Sequence, residues 1–182
     1  MSNERSRDPA TPPWRPPVLD IGARESALER FFYDCTWEGT VYANGQGQGS
    51  PEMTAVGGGT CRWIMDGLWL ACDFHQDQYA EGEYVLTWRL HLVVGWDRMA
   101  GEYRAVLAES NGALALLRGD LEGDTLTMTP VERLTKDGVP VDFRFVWDAR
   151  DPAGLAWRTE FSAAGGPWTL VEDYVVRPAS VA

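Results

Sequence analysis

Glu109 and Glu172 fall on strand faces that are otherwise apolar. If Asp97 pairs with Glu102 across the turn at Asp97–Gly101, then Trp96 faces Tyr103, Leu92 faces Leu107 and Leu90 faces Glu109. Glu172 alternates with Trp168, Leu170, Tyr174 and Val176. A carboxylate on an apolar face must find a partner, take up a proton or serve a ligand, because burying it bare is costly. Two chemistries follow. The pair could be polar handles of a pocket, or a desolvated Glu could act as general acid or base with its pKa raised by burial. The bland alternative is a solvated rim position or a structural ion pair, which also perturbs carboxylates.

The other chemistry-bearing residues are weaker. His91 alternates with Leu90 and Leu92 and so should point away from the apolar face, and His75 sits near a strand end. Arg62 and Asp73 form a cross-strand pair on the polar face of a hairpin, worth little if solvated. The run Gly45–Gly49 lacks the helix and βαβ setting of a dinucleotide loop. Gly57-Gly58-Gly59 lacks the Lys-Ser/Thr of a phosphate loop and reads as a bend or bulge at a barrel corner. The cysteines lack zinc spacing and no nucleophile elbow is present, so no metal site is expected.

The elements that must position these residues are strands. Asp66-Gly67 suits a tight hairpin turn, because both central positions need φ > 0. That turn sets Met65 against Leu68, Trp63 against Leu70 and Cys61 against Cys72, with Phe74 continuing the same apolar face. Further strands are expected at Trp37–Ala43, Met53–Met65, Leu68–His75, Tyr84–Trp96, Glu102–Ser110, Ala113–Leu121, Thr125–Leu134, Val141–Asp148, Leu155–Ser162 and Trp168–Val176. Ala23–Tyr33 spaces Ala27, Leu28, Phe31 and Phe32 as one face of a short N-terminal helix. About ten strands with short turns and no crossover predict an all-β, antiparallel up-and-down β-barrel, closed because closure removes exposed edges. Such a barrel is wide enough to hold one small ligand.

Residues 1–20 are polar and Pro-rich and read as a disordered tail, leaving 21–178 as a single barrel domain. The net charge of −11 and the absence of a Lys/Arg cluster argue against nucleic acid and against anionic membranes as partners. No signal peptide or membrane span is evident, and the odd count of three cysteines fits a reducing cytoplasm with Cys61 and Cys72 as reduced thiols.

Three ordered motifs carry a resemblance: CRWIMDGLWLACDFHQ, GWDRMAGEYRAVLAESNG and GGPWTLVEDYVVRP. From about Leu28 to Pro178 the chain resembles bacterial lipocalin-like proteins known as a domain of unknown function. The resemblance implies a calycin-type barrel around an apolar cavity, with no catalytic residues to carry over. It also implies that Trp37 seals one end against Arg177 in a cation–π stack. Cys35 stands where calycins have Gly. Related ten-stranded barrels can bind haem, which would make His91 an axial ligand.

These readings converge on a cytoplasmic monomer or homodimer that binds a small hydrophobic or aromatic molecule. Trp63, Trp88, Leu90, Leu92, Tyr103, Phe143, Phe145, Trp157 and Tyr174 are the expected cavity walls, with Glu109 and Glu172 as handles. The alternatives are a cyclase or isomerase using Glu109 or Glu172 as its catalytic group, and haem or gas binding through His91. Otherwise no cofactor is expected.

Overall fold

The computed structural model describes residues 21–42, 46–136, 138–152 and 154–180; the expected tail at 1–20 lies outside them. A single helical turn, α1 (Ala23–Ser26), runs into a tighter 3₁₀ turn at Ala27–Arg30. Eleven strands follow: β1 (Cys35–Tyr42), β2 (Glu52–Ile64), β3 (Trp69–Ala80), β4 (Glu83–Asp97), β5 (Glu102–Glu109), β6 (Leu114–Glu122), β7 (Thr125–Pro130), β8 (Leu134–Lys136), β9 (Val139–Asp148), β10 (Leu155–Ala163) and β11 (Thr169–Pro178). All pairings are antiparallel. Sequential neighbours pair from β1 to β7, β7 pairs with β9, and the ring closes through β9–β10, β10–β11 and β11–β1. The result is a closed ten-stranded up-and-down barrel with β8 as one extra strand on the edge of β9.

The eleventh strand arises where one strand was expected over Thr125–Leu134. The β7–β9 ladder ends at Met128 opposite Phe145, β7 itself ends at Pro130, which has no N–H to give to a ladder, and contact with β9 resumes where Leu134 pairs with Val141. The helix is also shorter than its periodicity suggests. It ends after one α turn, yet it still delivers Leu28, Phe31 and Phe32, each no more than 3% exposed, into one end of the barrel.

The hairpin register holds as expected, with Trp63 opposite Leu70 and Cys61 opposite Cys72. Asp66 (φ 58, ψ 33) and Gly67 (φ 86) take the two left-handed positions of a type I′ turn, closed by Leu68 N–H donating to the Met65 carbonyl at 3.3 Å. Met65 itself has φ 51 and is 69% exposed, so it leaves the inward face. The Cys61 and Cys72 Cα atoms are 4.1 Å apart, the close spacing of a non-hydrogen-bonded pair, and the sulfurs are joined in a disulfide. Reduced thiols are therefore not what this register produces. Cys35 is a free, buried thiol whose pKa is pushed up to about 12, chiefly by desolvation and then by the charge of Asp34.

Gly57-Gly58-Gly59 is not a bulge, since pairing to β1 and β3 runs through it without a shift. Its role is close approach. A Cβ on Gly57 would lie 2.6 Å from the Trp37 ring, one on Gly59 would lie 2.2 Å from Phe74, and one on Gly39 would lie 2.7 Å from Tyr174. Bare backbone at these inward positions lets three large rings lie flat across the barrel interior. Trp37, Phe74, Trp157 and Tyr174 meet there with ring centroids 5.3–6.4 Å apart. This aromatic floor divides the barrel into a filled half, on the helix side, and a hollow half.

Candidate functional site

Above the floor lies a cavity of about 410 Å³. Its walls are Trp88 and Leu90 from β4, Leu107 from β5, Phe143 and Phe145 from β9 and Trp157 from β10. Leu114, 68% exposed, and Pro130 and Leu134 stand at its rim. The break after β7 thus borders the mouth. The polar groups are few: Glu109, Asn111, Thr159 and Glu172.

Glu172 sits opposite Thr159, and the Thr159 hydroxyl donates to Glu172 Oε2 at 2.8 Å. The next residue pair toward the filled half is Trp157 and Tyr174, so the carboxyl rests directly on the aromatic floor. A register shift follows Thr159, where Glu160 pairs with Leu170 and leaves Val171 unmatched. That bulge brings Val171 to the cavity wall beside Glu172. It also breaks the expected alternation: Trp168 is 40% exposed and lies under the Arg144 guanidinium, 4.4 Å away, so it is no neighbour of Glu172 inside the barrel.

Glu172 is half-buried, and the surface it keeps faces the cavity that it lines. Desolvation pushes its pKa up and the charge of Glu109 adds to the rise, while the Thr159 hydrogen bond and the nearby polar groups of Tyr174 and Gln76 oppose it. Gln76 is wholly buried. The Trp37 indole N–H can only donate, and it donates to Gln76 Oε1 at 3.2 Å. The Gln76 amide is thereby fixed with its NH₂ turned away from Trp37, toward Glu172 and Tyr174. Neither Gln76 Nε2 nor the Tyr174 hydroxyl has a well-formed hydrogen bond, and the Trp157 indole nitrogen also has none. Burial raises the Tyr174 phenol far above its usual range, and the Glu172 charge raises it further.

Glu109 lines the same cavity nearer the rim, held by Asn111 Nδ2 at 2.7 Å. Its pairing with Leu90 is as expected from the turn at Asp97–Gly101.

The sequence-expected residues divide between the two halves. Trp88, Leu90, Phe143, Phe145, Trp157, Glu109 and Glu172 meet at the cavity. Tyr174 lies beneath it, 1% exposed, touching Glu172 from the floor. Three expected walls belong elsewhere. Leu92 is 1% exposed and packed in the core between Cys72 and Leu107. Tyr103 is packed edge-on to Trp96 and donates its hydroxyl to the Arg24 carbonyl at 3.0 Å. Trp63 donates to Glu29 at 3.2 Å, beside the helix. Facing inward was right for Leu92 and Tyr103, but both are packed into the filled core rather than bordering the cavity.

His91 points outward, 2.6 Å from Asp73 Oδ1, on the same outer face as the Arg62–Asp73 pair at 3.5 Å. It cannot reach into the cavity as an axial ligand, so the residues present do not fit a haem held there by His91. Arg177 is also outside: its neighbour Val176 is the residue paired with Trp37, and Arg177 binds Glu38 at 2.9 Å. The expected Trp37–Arg177 stack is replaced by the buried Trp37–Gln76 bond.

Gln76 and Thr159 were missed by sequence reasoning, although the signal was there. Gln76 keeps step with Leu70, Cys72 and Phe74, and Thr159 with Leu155 and Trp157, which makes each a polar side chain at an inward position. No protein-family model matches this chain, and no curated protein matches it. Among the described residues no helix is long and apolar enough to cross a membrane.

Proposed function

We propose that the protein is a receptacle for one small hydrophobic or aromatic molecule, held in the hollow half of the barrel and oriented by Glu172. The observation that carries this reading is a cavity of about 410 Å³ with aromatic and aliphatic walls and a half-buried carboxyl at its deep end. Apolar walls with a few placed polar groups are the general make-up of small-molecule sites. A closed up-and-down meander also fits the lipocalin-like resemblance of the sequence motifs, and the net charge of −11 supports a partner other than nucleic acid.

A titration with the neutral probe N-phenyl-1-naphthylamine tests the reading. Probe emission should rise with excitation transferred from Trp88 and Trp157, and Leu107→Trp, whose larger side chain narrows the cavity, should weaken probe binding. Probe affinity unchanged by Leu107→Trp, or no energy transfer from these tryptophans, would place the probe elsewhere and remove the proposal.

A second reading is favoured by the raised pKa of Glu172. A desolvated carboxyl in an apolar site is suited to proton transfer in an isomerisation or cyclisation. The two readings separate on Glu172→Gln. A receptacle loses affinity by about ten- to a hundred-fold, whereas an enzyme keeps affinity and loses turnover.

A further inference from the structure

The electrostatics of the hollow half say which molecules it can hold, given that it is a ligand cavity. Among the described residues that line it, two are acidic, Glu109 and Glu172, and none is Lys, Arg or His. The basic side chains nearby belong to the outside of the barrel: Arg144 is paired with Glu160, and Arg158 with Asp173 at 3.2 Å. At the helix end of the barrel, by contrast, the buried Glu25 has its own cation in Arg98.

The surroundings of Glu172 are built for its charged form. Thr159 Oγ1 donates to it, the Trp37 bond turns the Gln76 NH₂ toward it, and the Tyr174 hydroxyl lies against it. Gln76 and Tyr174 are at most 1% exposed and have no well-formed partner of their own. Buried donors left unsatisfied are costly, and an ionised carboxylate is the group that would use them. What the protein does not supply is the counter-charge. The remaining walls, Trp88, Phe143, Phe145 and Trp157, present aromatic rings, whose faces attract cations.

We infer that the cavity selects a cationic ligand, an aromatic or alkyl amine whose ammonium group sits on Glu172 and whose apolar body lies among the aromatic walls. Glu109 at the rim adds to the negative potential along the way in. An anionic amphiphile such as a fatty-acid carboxylate meets two like charges without a compensating cation. Ion pairing with an ammonium favours the ionised form of Glu172, against the upward push of desolvation on its pKa.

Three matched probes test this by calorimetry at neutral pH: 2-(1-naphthyl)ethylamine, 2-(1-naphthyl)ethanol and 1-naphthylacetate. The amine should bind about ten- to a hundred-fold more tightly than the alcohol, the worth of a charge-assisted hydrogen bond, and the acetate should bind least. Glu172→Gln should bring the amine down to the level of the alcohol while leaving the alcohol unchanged. Should that variant not fold, Glu109→Gln should weaken the amine selectively by a smaller factor. Equal binding of amine and alcohol, or tighter binding of the acetate, overturns the inference and leaves the receptacle standing. Binding of none of the three overturns both.

Discussion

The two halves of the barrel use the same strands, the same alternation and the same aromatic floor, yet one is solid and the other hollow. A barrel of this strand number is wider than its own inward side chains can fill. On the helix side the deficit is met from outside the sheet, where Leu28, Phe31 and Phe32 join the buried core and Phe32 packs edge-on to Trp147. No equivalent plug enters the other end among the described residues, and Trp88, Phe143 and Phe145 there remain only half-buried. A cavity in this fold is thus the default, and the filled core is what needs extra chain.

The halves also treat inward-facing carboxylates in opposite ways. Glu25 is buried, which raises its pKa, but hydrogen bonds from Arg98 and the Gly22 N–H, with the Arg98 charge, outweigh that and hold it below the usual range. Its contribution to stability is present above pH ~4.5 and is lost as pH falls through the depressed folded value. Glu172 is shifted the other way. Its contribution is fully present below pH ~4.5 and is lost as pH rises through the raised folded value.

The largest expected effect separates the halves by packing. Phe32→Ala, which removes a ring packed edge-on to Trp147 at 5.2 Å, should cost about 3–5 kcal/mol in urea denaturation. Phe143→Ala borders space that is already empty and should cost about 1–2 kcal/mol, since it loses transfer energy and opens little new cavity. Equal costs would mean that the hollow half is collapsed in solution.

Next is the pair at the helix end. Arg98→Ala leaves Glu25 buried without its cation. Breaking a buried pair costs about 3–5 kcal/mol, and because Arg98 is 37% exposed we expect about 2–4 kcal/mol. The loss should shrink as pH falls through the folded pKa of Glu25, visible as a flatter acid limb in thermal melts. A pH-independent loss would assign the effect to packing of the Arg98 stem.

How these contrasts relate to the sequence depends on periodicity. Inward and outward faces were legible, because alternation survives along most strands: Glu109 opposite Leu90 and Cys61 opposite Cys72 both follow from turn positions alone. Depth along the barrel was not legible. Leu90 and Leu92 read alike, yet one lines the cavity and the other is solid core, and that depends on where the Trp37 and Tyr174 rings come to rest. The bulge at Val171 was likewise invisible, since no Gly or Pro marks it, and so Trp168 was placed inside. Gln76 and Thr159 were legible in pattern, but a polar residue on an inward face is informative only once its neighbours are known.

A smaller effect, of opposite sign, is expected at the floor. Glu172→Gln should stabilise the ligand-free protein at neutral pH by about 1–3 kcal/mol, the range for relieving a poorly compensated buried polar group. The gain should be absent below pH ~4.5, where wild-type Glu172 is protonated in both states, and should grow by at most about 1.4 kcal/mol per pH unit above it. A stabilised variant that has also lost its amine preference would show stability exchanged for function. If Glu172→Gln instead destabilises the protein at neutral pH, the donors around Glu172 already satisfy its charge without a ligand.

The smallest effect concerns which contact holds Trp37. A calycin-like corner would make Arg177 a cap on the indole, and its loss would be felt in the core. Here the indole is fixed from inside by Gln76, while Arg177 and Glu38 form a pair on the outer face, 49% and 66% exposed. Such pairs contribute about 0–1 kcal/mol and are screened by salt. Arg177→Ala should therefore shift the denaturation midpoint by no more than that, the shift should fade at 1 M salt, and Glu38→Ala should remove it in a double-mutant cycle. Trp37 emission should not change. A larger, salt-independent loss accompanied by a change in tryptophan emission would show that Arg177 reaches the ring in solution, and the barrel end would then be sealed by a cation rather than by the glycine-bordered aromatic floor.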